Sequence, residues 1–213
     1  MNDLLQRIAN IDWQAVTEVL AEKGYTVVSQ FLPIQNCNEL IAEYDNSNLY
    51  RKTITMEKYR FGLGEYKYFK YPLPEIIQIL RHEIYPKLSP IANTWMKMLN
   101  MKTEFPDRFD ERKTLCHENN QKQPTVLILK YGKGGHNTLH QDLYGAIFFP
   151  FQVVFFLNEP DVDYTGGEFV LTQQIPRAQS KVIVLKPRKG DMLIITTNFM
   201  PIKGSKGYYR AQM

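Results

Sequence analysis

Apolar positions change period about halfway along the chain. In "WQAVTEVLAEK", Val16, Val19 and Leu20 fall on one helical face. Asp12 stands where a helix N-cap belongs and Gly24 where a left-handed cap ends one, so the spacing predicts a helix there. "YTVVSQFL" follows as a strand ending at Pro33, and "NCNELIAEYDN" as a short helix capped by Asn36 or Asn38. "PEIIQILRHEIYPKLSPIANTWMKML" is a third helical region. It is expected to break ahead of Pro86 and resume near Pro90, because an internal proline removes a hydrogen bond and clashes with the preceding turn. Residues 59–74, "YRFGLGEYKYFKYPLP", carry too many glycines, prolines and rings for a regular helix.

Beyond these helices the pattern shortens. "TVLILKY", "FQVVFFLN", "GEFVL", "KVIVLK", "DMLIITT" and "GYYRAQ" are short β-patterned runs. The turn sequences "GKGG", "DYTGG", "PRKGD" and "KGSKG" separate them. Short strands in such succession, with no helical pattern between them, imply an antiparallel sandwich or barrel. The expectation is one α+β domain over residues 1–213. A mainly helical layer (1–110) would pack on a β core (124–213).

Composition changes this picture little. Of 213 residues, 44% are hydrophobic and 23% charged, as in ordinary globular proteins. The net charge of +4 permits a polyanionic partner without requiring one. Two distant cysteines, Cys37 and Cys116, argue against a disulfide framework and make a reducing cytoplasm the expected compartment. The N-terminus lacks the apolar core of a signal peptide. The longest apolar stretch, residues 146–157, is interrupted by Pro150 and Gln152 and is too short for a membrane helix.

The chemistry concentrates in "LHQD". Side chains at i and i+2 of an extended segment share a face, so His140 and Asp142 could grip one cation together. They would supply two-thirds of a 2-His-1-carboxylate facial triad, the ligand set that leaves positions of Fe(II) open for a cosubstrate and O₂. The bare motif is weak: with 4 His and 9 Asp in 213 residues, chance produces it in about one such chain in six. Its surroundings strengthen it. Tyr131 lies on a strand that leads through a glycine turn into the pair, and "DYTGGEFVL" and "LKPRKGDMLII" follow at strand intervals.

This arrangement resembles the prolyl-hydroxylase-like Fe(II)/2-oxoglutarate-dependent dioxygenases. "FGLGEYKYFKYPLP", "LHQDLYG", "FPFQVVFFLNEP", the run from "DYTGGEFVLTQQ" through "PRAQS", and "PIKGSKGYYR" further resemble a bacterial 2-oxoglutarate/Fe(II) oxygenase family. That family is usually labelled as catalysing oxidative demethylation of damaged nucleic acid. The resemblance covers nearly the whole chain and implies a double-stranded β-helix, or jelly roll, beneath the helical layer. It implies Fe(II) as cofactor and 2-oxoglutarate as cosubstrate, with release of succinate and CO₂. His140 and Asp142 would be iron ligands, and Tyr131 would hydrogen-bond the distal carboxylate of 2-oxoglutarate, the alternative for Tyr131 being a packed strand aromatic. Leu143 and Tyr144 would wall the pocket or join the core. Gln152 would face the pocket or lie outward. Glu168 would be structural, and Gln141 would point away from the metal with no role.

By the same resemblance, the second ligand histidine and the basic residue that pairs with 2-oxoglutarate belong to a continuation after Met213, together with the last jelly-roll strand. An omitted tail is the expectation. A chain truly ending at Met213 would show little iron-dependent turnover. Within the sequence, His136 is the nearest substitute ligand. His117 reads as a surface residue, His82 belongs to the helical layer, and Arg210 is a possible stand-in cation or an exposed strand-end arginine. Rings interleaved with Arg60, Lys67 and Lys70 in residues 59–74 suit nucleic acid, or an acidic or proline-containing peptide, or plain packing onto the sandwich. Three functions therefore remain open. They are an Fe(II)/2-oxoglutarate dioxygenase acting on nucleic acid or protein, a catalytically silent jelly-roll binding module, and a cupin-like metalloenzyme. The last is disfavoured because the β region offers only His136 and His140 as histidine ligands.

Overall fold

A computed structural model describes residues 2–143, 145 and 147–213. Helices α1 (Asn2–Ala9) and α2 (Trp13–Lys23) open the chain and lead into strand β1 (Tyr25–Val28). The Asp12 carboxylate accepts the Ala15 N–H at 3.0 Å, and Gly24 closes α2 at φ 74° by donating its N–H to the Leu20 carbonyl at 2.8 Å. Both caps match the sequence. Helix α1 has no such punctuation; burial of Leu4 and Ile8, four residues apart, is what holds it.

Helix α3 (Ile34–Ala42) starts directly after Pro33 rather than at Asn36 or Asn38. Strands β2 (Tyr50–Thr55), β3 (Gly62–Leu63) and β4 (Glu65–Phe69) then precede the long helix α4 (Glu75–Met98). Here the expected break fails, since α4 runs unbroken through Pro86 and Pro90. Ile77, Leu80, Ile84, Leu88, Ile91, Trp95 and Met96 are all buried along it. At about 1.5–3 kcal/mol for each such side chain, their burial outweighs two internal prolines at about 3 kcal/mol each. Helix α5 (Phe109–Glu118) was not legible, because its face is polar and its one buried residue is Arg112. Arg112 donates to the Phe148 carbonyl at 2.7 Å and lies 5.7 Å from the ring centres of Phe105 and Phe149.

The remaining strands are β5 (Leu127–Lys130), β6 (His136–Asn137), β7 (Phe151–Phe155), β8 (Phe169–Gln173), β9 (Lys181–Leu185), β10 (Met192–Thr196), β11 (Phe199–Gly204) and β12 (Gly207–Gln212). All named pairings are antiparallel: β1–β10–β7, β2–β4–β5, β3–β6, β8–β9 and β11–β12. The region read as a helical layer thus also supplies four strands, three of which pair with strands from the second half.

Every residue of β10 is buried, because its sheet is covered on both sides. Met192 and Ile194 face the main core with Leu20, Leu88, Trp95, Phe151 and Met200. Leu193 and Ile195 face the opposite way, toward Leu171, Ile183 and Leu185 of the β8–β9 hairpin. The turn into β10 is locked by Asp191, whose carboxylate accepts the N–H groups of Gln30 at 2.9 Å and Arg188 at 2.8 Å. No helix among the described residues is long and apolar enough to cross a membrane.

Candidate functional site

His140 and Asp142 lie in the extended segment between β6 and β7. His140 Nδ1 is 2.7 Å from the Thr138 carbonyl oxygen. A carbonyl only accepts, so Nδ1 carries a proton and Nε2 is the ring nitrogen turned toward Asp142. Nε2 stands 3.5 Å from Asp142 Oδ1. The i, i+2 geometry therefore brings an imidazole nitrogen and a carboxylate oxygen together. With side-chain exposures of 47% and 25%, both can be reached from solvent.

The residue between them has a job that the sequence did not reveal. Gln141 turns the other way and donates to the carbonyls of Met213 at 2.8 Å and Asn198 at 3.4 Å. This anchors the motif to the β11–β12 hairpin. On the other flank, the Thr138 N–H and hydroxyl both donate to the Phe61 carbonyl, at 2.8 and 3.0 Å. β3 and β6 approach so closely that a Cβ on Gly62, which sits at φ 131°, would collide with the His136 carbonyl oxygen. After the motif, the Gln121 side chain donates to the Ile147 carbonyl and accepts its N–H, as a neighbouring strand would.

The sheet β2–β4–β5 supplies a wall. Its register sets Ile54, Tyr66 and Leu129 side by side, with Tyr68 and Leu127 on the same face. Tyr66 and Tyr68 meet edge to face at 5.5 Å. The Tyr66 hydroxyl is pushed up to about 12, mainly by burial, then by Tyr68 and by the negative charge of Asp142. Tyr66 is therefore a neighbour of the pair; strand parity placed it on a face, but only the fold places that face beside Asp142. Tyr131 lies just past β5 with its ring over Gly64, where a Cβ would sit 2.8 Å from Tyr131 Cδ1. Burial pushes the Tyr131 phenol up, while a hydrogen bond from the Asn137 side chain works against that shift.

The other candidates disperse. His136 pairs with Leu63 in β6 and its ring contacts the Gly134 carbonyl at 3.3 Å. His82 lies 3.8 Å from Asp110 and against the Phe109 ring, within the helical layer. His117 is on α5, and Arg210 rests over the Phe199 ring at 5.1 Å. Gln152 is half-buried in β7 opposite Ile195, Glu168 is exposed ahead of β8, and Leu143 is exposed. Tyr144 lies outside the described residues. Among the described residues no three His, Cys, Asp or Glu side chains gather as a metal-binding group. The pair His140–Asp142 brings together two donor atoms of the kinds that could hold a divalent cation, an imidazole Nε2 and a carboxylate oxygen.

Residues 64–213 match the family model described as "Oxygenase, catalysing oxidative methylation of damaged DNA". An uncharacterized protein of Mycobacterium tuberculosis, found in strains CDC 1551 and H37Rv, is 44% identical over 140 residues. The match takes in 66% of this chain, and the chain spans 60% of that relative's length. Among solved structures, a prolyl-4-hydroxylase of Pseudomonas putida superposes with a TM-score of 0.50 at 13% identity, covering 94% of this chain and 90% of that one. That likeness is one of fold. Since the matched residues make up more than half of its length, the chain belongs to this oxygenase family.

Proposed function

We propose that the protein is an Fe(II)/2-oxoglutarate-dependent dioxygenase with a double-stranded β-helix core, and that nucleic acid is its substrate class. The observation that carries this reading is His140 Nε2 and Asp142 Oδ1 facing each other at 3.5 Å in a member of an oxygenase family. The substrate class is the one named in that family's description.

His140 Nε2 and an Asp142 oxygen would hold the iron. The Thr138 carbonyl keeps the proton on Nδ1, so the ligand nitrogen stays available and the ring keeps its orientation. Gln141 fixes the backbone between the two ligands. The Tyr131 hydroxyl would donate to the distal carboxylate of 2-oxoglutarate, and Tyr66, neutral throughout the physiological range, would line the substrate side. When bound, iron and 2-oxoglutarate supply the oxidising chemistry, in which O₂ and 2-oxoglutarate yield succinate, CO₂ and one oxygen inserted into a substrate C–H bond. Insertion at an N-methyl group gives an N-hydroxymethyl group, which loses formaldehyde, so demethylation and hydroxylation share the same residues.

The test is succinate release from 2-oxoglutarate with added Fe(II), using methylated oligonucleotides and peptides as substrates. Succinate formation that disappears in His140→Ala and in Asp142→Ala is the expected result. Formation that survives both substitutions overturns the assignment. Fe(II) binding with no succinate from any substrate would point instead to a silent binding module.

A further inference from the structure

The aromatic and basic stretch 59–74 divides into two parts of opposite character. Lys67 is turned inward, 4.0 Å over the Tyr44 ring, donating to the Tyr44 carbonyl at 3.0 Å and lying 3.7 Å from both Glu65 and Asp45. Phe69 is buried with Tyr50. These residues are packing. Tyr59 and Phe61 are the reverse, 52% and 44% exposed, with their rings nearly parallel at 5.5 Å and 19°. Arg60 between them sits at φ 60°, ψ 30°, at the end of the 3-10 turn Met56–Tyr59. The turn and this left-handed residue set the two rings side by side. Lys58 and Arg60, their neighbours in the chain, are exposed, and neither forms an ion pair among the described residues. Glu57 is the acidic neighbour in the same turn.

This platform is continuous with the metal-ligand pair. The Phe61 carbonyl takes both Thr138 hydrogen bonds, and the Thr138 carbonyl holds His140 Nδ1. The β3–β6 pairing, Gly62 with Asn137 and Leu63 with His136, joins the platform to the segment that carries the pair. Exposed parallel rings flanked by uncompensated cations suit a base that stacks on the ring face and phosphates that meet the cations. A duplex keeps its base faces covered, so it cannot use the rings.

We propose that Tyr59 and Phe61, with Lys58 and Arg60, form the docking platform for an unpaired nucleic-acid strand, and that the adjoining nucleotide is presented to the His140–Asp142 pair. The proposal rests on the oxygenase reading of that pair. Fluorescence anisotropy tests it, with a labelled single-stranded oligonucleotide of about twelve nucleotides, the same sequence as a duplex, and an acidic peptide. The single strand is expected to bind best. Tyr59→Ala and Phe61→Ala are each expected to weaken it about tenfold or more, while Tyr59→Trp keeps the affinity. Lys58→Ala is expected to lower the slope of log affinity against log salt by roughly one. Equal affinity in the ring variants and the parent overturns the proposal. So does preference for the duplex, or binding of the acidic peptide alone. Fe(II) titration of the same preparation reports separately on His140 and Asp142, so a failure of the platform and a failure of the metal assignment are told apart.

Discussion

At the scale of single residues, the site is held mainly through backbone groups. His140 is oriented by a carbonyl, Gln141 reaches two carbonyls, and the Thr138 N–H grips a third. Gly62 makes this possible, since at φ 131° it lets β3 approach the His136 carbonyl where any side chain would collide. Gly62→Ala is therefore expected to destabilise the protein by about 2 kcal/mol or more in urea unfolding. It should also weaken Fe(II) binding, because the shift falls on the β3–β6 contact beside Thr138. An unfolding midpoint equal to the parent's would contradict that steric argument. Much at this scale was legible. Asp12 and Gly24 announce their helix, and i, i+2 spacing puts His140 and Asp142 on one side. Gln141 was not legible, because its partners lie 57 and 72 residues away.

At the scale of elements, non-local ties decide what local pattern could not. The proline rule favoured two helices where α4 is one, because seven large buried side chains on a continuous face outweigh two missing N–H groups. Strand β1 was readable from "YTVV", yet its pairing with β10, more than 160 residues later, has no local signature. Asp191 locks that pairing by accepting two backbone N–H groups while 5% exposed. Asp191→Ala would leave the N–H groups of Gln30 and Arg188 without that acceptor. A loss of about 3 kcal/mol is expected from chemical denaturation. A loss under about 0.5 kcal/mol would mean that water replaces the carboxylate freely. Tyr66 belongs here too: strand alternation fixes its face, but the nearness of that face to Asp142 comes from the fold and has no local signature.

At the scale of the whole molecule, charge and metal binding give the readouts. Glu159 accepts the Lys189 N–H and pairs with Arg188, which holds its carboxyl below the usual value of 4.5. Its depressed value means that the stabilisation is fully present above pH 4.5 and is lost as pH falls through the lowered value. Glu159→Gln should lower the Tm at pH 7 and flatten its decline below pH 4.5, and a parent-like acid profile would contradict this assignment. The α+β class and the antiparallel strands followed from periodicity, while the sharing of sheets between strands of the mainly helical residues 1–110 and strands of the second half has no local signature. The most direct test of the central claim is anaerobic calorimetric titration with Fe(II). One equivalent is expected to bind, with affinity falling at least about tenfold in His140→Ala and in Asp142→Ala. Fe(II) binding of unchanged affinity in both variants would show that these two residues do not hold the metal.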